Sequence, residues 1–130
     1  MNYRGGYKYQ LTTPESFKVG FHVPENIETD YIDLTRDGYL FIERGYAWDG
    51  PSGPAIDSKN FMRGSLAHDA LYQLIRTGHL SKTFRKDSDL LLKRICLEDG
   101  MSKVRAQWVY LGVRVGGLGA LKPTIELSAP

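Results

Sequence analysis

Over the first 47 residues, aromatic and aliphatic side chains come in short runs broken by turn residues. Runs at 7–11, 17–22, 31–34 and 39–43, rich in Tyr, Phe, Ile and Val and bounded by Gly, Pro, Asn and Asp, predict the strands of a small antiparallel sheet. Between the last two, Thr35-Arg36-Asp37-Gly38 carries the Asp-Gly pair that supplies positive φ to a tight hairpin turn.

The pattern changes at residues 45–57, where three glycines and two prolines exclude a regular helix or a central strand. Beyond this loop, Ala67, Leu71, Leu74 and Ile75 recur at helical spacing until Gly78, which predicts a first helix over 61–77. A second helix is predicted over 86–98, ending at Gly100, and a third over 103–115 with Ser102 as its N-cap. In the third, Val104, Trp108, Leu111 and Val115 form an apolar stripe, the usual mark of a core-facing side. The pattern predicts an α+β fold in one domain of 130 residues: a sheet part (1–47), a loop (48–60), a three-helix part (61–116) and a loosely docked tail (117–130).

Composition narrows the function classes. A formal charge of +2 is far from the basic stripe of a dedicated nucleic-acid binder, so nucleic acid is not the expected partner. The single cysteine, Cys96, excludes an internal disulfide and reads as a small core residue. No run approaches the length of a transmembrane helix and the first residues lack an apolar signal core, which predicts a protein kept in the cytoplasm unless other machinery exports it.

The chemistry concentrates between Asp49 and Tyr72. On a helix His68 and Tyr72 lie four apart on one face that also holds Leu71 and Ile75, so the imidazole is expected to be at least partly buried and to need a partner. Asp89 supplies a candidate, because on the second helix it shares a side with Leu92 and Cys96. A carboxylate on one ring nitrogen fixes the tautomer and stabilises the imidazolium, leaving the other nitrogen to take a proton from water. The structural alternatives are a core histidine bonded to a main-chain carbonyl and an acid that complements the helix dipole. Tyr72 is expected to pack as an aromatic whose hydroxyl bonds a neighbour, Asp89 in the enzyme reading. Asp69 is either a calcium ligand, with Asp49 and Asp57 adding oxygens, or a surface ion-pair partner of Arg76 or Lys86. Ser52 and Asp49 equally suit turn chemistry, Asp57 suits the start of the first helix, and Trp48 is a packing anchor or lines a site entrance.

His68-Asp69-x-x-Tyr72 after a Gly/Pro loop, with an aspartate on the following helix, resembles the phospholipase A2 pattern, the parvoviral branch in particular. That resemblance implies His68 as general base, Asp69 as a Ca²⁺ ligand and Asp89 as the residue orienting His68. Over most of the chain, Gly45-x-x-x-Asp49-Gly-x-Ser52-x-Pro54, His68-Asp69-x-Leu71-Tyr72, Arg85-x-x-x-Asp89 and a third helix with Arg105 and Tyr110 resemble an uncharacterised family of small bacteriophage and prophage proteins. It implies residence in the cytoplasm of an infected bacterium or in the virion.

Two function classes follow. One is a calcium-assisted hydrolase of lipid or other esters, in which His68 and Asp89 activate water. The other is a non-enzymatic phage component, in the virion or tail or bound to a host protein, using the fold as a scaffold. A zinc site on Asp49, His68 and Asp69 ranks last, since neither His22 nor His79 has ligand spacing to His68.

Overall fold

In the computed structural model of the chain, the residues described are 1–4, 9–48 and 59–120, with side chains described as far as residue 116. The fold is α+β: antiparallel sheets in the N-terminal part, then three helices. The chain divides into two compact units, Met1–Gly50 and Pro51–Pro130.

The first unit contains β1 (Tyr3–Arg4), β2 (Tyr9–Leu11), β3 (Glu15–Lys18), β4 (Ile27–Glu28), β5 (Ile32–Leu34), β6 (Tyr39–Ile42) and β7 (Ala47–Trp48). They form two antiparallel sheets, in the orders β1-β2-β7 and β3-β6-β5-β4. Alternation along β6 turns Leu40 and Ile42 inward and leaves Tyr39 and Phe41 exposed, the period of two of a half-buried strand. The β5–β6 hairpin closes where the Gly38 N–H donates to the Thr35 carbonyl (3.0 Å). Gly38 has φ +93, and a Cβ there would stand 2.5 Å from the Phe21 carbonyl oxygen, so the turn requires glycine.

The expected strand over 17–22 is displaced. The ladder runs from Glu15 to Lys18, and the backbone turns at Gly20, although Val19 and Val23 still donate to the Gly38 and Arg36 carbonyls. Trp48 lies in edge strand β7 rather than in the loop; at 2% exposure it packs against the rings of Tyr3 and Tyr9. It is a packing anchor of the first unit.

The second unit contains α1 (Lys59–Arg76), α2 (Arg85–Glu98) and α3 (Lys103–Ala120), with a short 3₁₀ turn at Lys82–Phe84. α1 and α2 run antiparallel: Arg63 meets Glu98 and Asp99, and His68 and Tyr72 meet Asp89. α1 stops before Gly78 and α2 before Gly100, and the Ser102 hydroxyl accepts from the Arg105 N–H at 3.2 Å to start α3. Phe61, Leu92, Cys96, Met101, Ala106 and Val109 form a core cluster, with Val113 packed on it.

α3 departs from expectation twice. It continues to Ala120, through residues expected to form a loose tail; residues 121–130 lie outside those described. Its apolar stripe is also not the core face. Val104, Trp108, Leu111 and Val115 are 70%, 71%, 50% and 79% exposed, while Ala106 and Val109, on the opposite side, are buried. The smaller Ala106 and Val109 let α3 lie close to α2 and turn Arg114 toward Asp89.

Candidate active site

α1 brings Gly64, His68 and Tyr72 to one face at intervals of four residues, and α2 brings Asp89, Leu92 and Cys96 to another at intervals of three and four. Where the two faces meet, Gly64 has no side chain to hold the helices apart, and one turn later His68 reaches Asp89. The His68 Nε2 to Asp89 Oδ1 distance is 2.7 Å, and the Tyr72 hydroxyl donates to the same oxygen at 2.6 Å. The other oxygen, Oδ2, accepts from Arg114 Nη1 at 2.8 Å. Asp89 is fully buried, His68 and Tyr72 are nearly so, and the two rings lie 4.1 Å apart between centroids.

A buried carboxylate is costly unless its oxygens are satisfied, and here three donors satisfy them. Burial alone would raise the Asp89 carboxyl. The hydrogen bonds from His68 and Tyr72, the charge of His68 and the Arg114 bond outweigh burial and hold it below the usual carboxylate range. Burial, then the hydrogen bond and negative charge of Asp89, push the Tyr72 hydroxyl far above the ordinary phenol range, so it remains a donor. An ionised Asp89 accepts only, so Nε2 carries a proton in either charge state of the ring, and in the neutral form it is Nδ1 that presents a lone pair. Among the described residues no hydrogen bond engages Nδ1.

Of the expected site residues, the structure brings together His68, Tyr72 and Asp89. Asp69 sits half-buried next to His68 on α1. Asp49, Ser52 and Asp57 lie outside the described residues. Among the described residues no three His, Cys, Asp or Glu side chains gather as a metal site would need, so these residues alone do not make the expected calcium or zinc site. His79 Nδ1 pairs with the neighbouring Thr77 hydroxyl at 2.9 Å. Burial pushes the Cys96 thiol up to about 12, the state of an inert core cysteine.

Arg114 and Arg85 were not among the expected site residues, although Arg85 stands in the Arg85-x-x-x-Asp89 motif. Arg85 Nη1 and Nη2 donate to the Arg114 main-chain carbonyl at 3.3 and 3.4 Å, tying the start of α2 to α3. For Arg114 the sequence offers only a basic residue on the third predicted helix, and which way it points depends on the face α3 buries. No protein-family profile matches the chain, and no curated protein or solved structure shows significant similarity to it.

Proposed function

We propose that the α1–α2 pair is the reacting centre of an ester hydrolase, encoded by a bacteriophage or prophage. The observation that carries this reading is the 2.7 Å contact of His68 Nε2 with a buried Asp89, which makes Nδ1 the ring nitrogen that would take a proton from water. A water bound at Nδ1 loses its proton to the imidazole as its oxygen attacks the ester carbonyl. Asp89 stabilises the imidazolium, and His68 then returns the proton to the departing alkoxide as the tetrahedral intermediate collapses. Tyr72 and Arg114 fix the carboxylate, so the ring is held in one orientation before reaction.

Calcium, if Asp69 and Asp49 hold it with loop carbonyls, would polarise the ester carbonyl and stabilise its oxyanion. The proton transfer needs only the chain's own residues. The test is hydrolysis of a panel of short-chain carboxylic and phospholipid esters, with and without calcium. Activity lost in a folded His68→Ala protein supports the reading. Wild-type protein inert toward the panel in both conditions overturns it.

A second reading, a non-enzymatic phage component that binds another protein, draws on the exposed row of Val104, Trp108, Leu111 and Val115, since contiguous exposed apolar surface marks interaction sites. It expects a specific oligomer or complex that His68→Ala leaves intact and a charge at Trp108 disrupts.

A further inference from the structure

The dyad accounts for Asp89 but not for the surplus of positive charge beside it. Arg85 and Arg114 both lie close enough to Tyr72 for their charges to act on its hydroxyl. Among the described residues only Arg114 of the two has a carboxylate partner: it meets Asp89 at 2.8 Å, while none of them places an Asp or Glu within ion-pair distance of Arg85. Two guanidinium groups therefore stand near one carboxylate, and the cluster carries a net positive charge whichever charge state His68 takes.

Arg85 is also placed against its own helix. It is the first residue of α2, where the helix dipole disfavours a cation. Its guanidinium is half-buried, and it spends its Nη groups on the single carbonyl of Arg114 at 3.3 and 3.4 Å, distances at the long end for such bonds. A guanidinium presents five N–H donors in a planar fork, and most of those on Arg85 are unspent. Arg114 engages Asp89 through Nη1, and among the described residues no bond uses its Nε or Nη2.

We propose that Arg85 and Arg114 form an anion-binding half of this site and take a phosphate group of the substrate. A phosphate monoanion cancels the surplus charge, and its oxygens match the bidentate donor fork of Arg85. In placing that phosphate next to the scissile ester the inference rests on the hydrolase reading; the anion site itself does not. The phosphate source is either a phosphodiester headgroup or a free phosphate, and both present the same oxygens.

The test is an NMR titration of the full chain, following the Arg85 and Arg114 Nε–H signals, with inorganic phosphate and, separately, with glycerophosphoglycerol. Sodium chloride at matched ionic strength is the control. Saturable shifts with a dissociation constant of about a millimolar or tighter are expected at both arginines, weakened about tenfold or more by Arg85→Met. Tighter binding of the diester assigns the site to a headgroup, and tighter binding of phosphate to a free anion. Should Arg85→Met not fold, Arg85→Lys keeps the charge and removes the fork, and is expected to weaken binding severalfold. Shifts that only follow ionic strength, or that neither variant alters, overturn the proposal. Phosphate bound at Arg85 by a chain that hydrolyses no ester would keep the anion site and end the hydrolase reading. Equal hydrolysis of neutral and phosphate-bearing esters, unaltered in Arg85→Met, would do the reverse.

Discussion

Gly64 and Leu92 set how closely the two helices of the dyad approach: a Cβ built on Gly64 would stand 2.9 Å from Leu92 Cδ1 and 3.3 Å from the Leu92 carbonyl oxygen, with Cys96 Sγ at 3.2 Å. Leu92 and Cys96 are buried and have little room to yield. One turn along α1, the same approach delivers His68 to Asp89.

Gly64→Ala is therefore expected to destabilise the chain by about 1–3 kcal/mol through overpacking, even though alanine is the better helix former by about 1 kcal/mol. Urea denaturation gives the stability, and the His68 ring signals report whether the Asp89 contact loosens with it. A variant as stable as the parent would show that the helices have room and that glycine is not needed at this crossing.

Tyr72→Phe removes a buried hydroxyl that donates to Asp89 at 2.6 Å, and a loss of about 1–3 kcal/mol is expected for a bond to a charged acceptor. Because the folded state raises the Tyr72 hydroxyl above its unfolded value of about 10, this contribution is complete below about pH 10 and is lost as the pH climbs through the folded value. In an ultraviolet titration, Tyr72 should ionise far above the ordinary phenol range. Until the chain unfolds at high pH, wild type and Tyr72→Phe should gain the same phenolate absorbance, and a difference appearing near pH 10 would count against the buried bond.

The parts of this arrangement that the sequence made legible are those governed by local chemistry. Gly78, Gly100 and Ser102 end and begin helices through neighbours a few residues away, and Asp37-Gly38 makes its own hairpin. His68 and Asp89 could be paired in advance because each sits on the apolar face of its helix and a buried charge demands a partner. What stayed hidden depends on tertiary choice. Two-residue strands such as β7 exist only through their partners, here Tyr9 and Gln10. On α3 two faces compete for the core, and the one with smaller side chains wins because Ala106 admits close packing and Arg114 completes Asp89. The more hydrophobic stripe is left outside, and with it any direct sign in the sequence that Arg114 belongs to the site.

That outcome on α3 has a spectroscopic consequence. The chain contains two tryptophans, and Trp108 is 71% exposed while Trp48 is 2% exposed. In a Trp48→Phe background, Trp108 emission should be strongly quenched by acrylamide and red-shifted; in a Trp108→Ala background, Trp48 emission should be shielded. Trp108→Ala should itself change stability by no more than about 0.5 kcal/mol, as for a surface position. A shielded Trp108 would mean that something covers the outer face of α3 in solution, and dilution would then separate a second copy from the chain's own residues.

Asp89 sets the acid limb of stability. Although burial pushes its carboxyl upward, the bonds from His68, Tyr72 and Arg114 prevail, and it gives up its proton more readily in the folded chain than in the unfolded one. Below about pH 4 the unfolded chain therefore binds more protons at this residue, and stability falls as the pH drops toward the folded value; above about pH 5 the contribution is complete. Asp89→Asn removes the charge while keeping the shape. It should cost about 3–5 kcal/mol at pH 7, because the Arg114 guanidinium loses its counter-charge and one of the two accepting oxygens becomes an NH₂ group facing a donor. The remaining carboxylates still titrate, so the useful quantity is the gap between parent and variant, followed by urea denaturation from pH 7 to pH 2.5. The gap should stay level down to about pH 5 and narrow below about pH 4, where the parent begins to lose what the variant never had. A gap that stayed constant down to pH 2.5 would mean that Asp89 holds its place by shape and packing rather than by its charge.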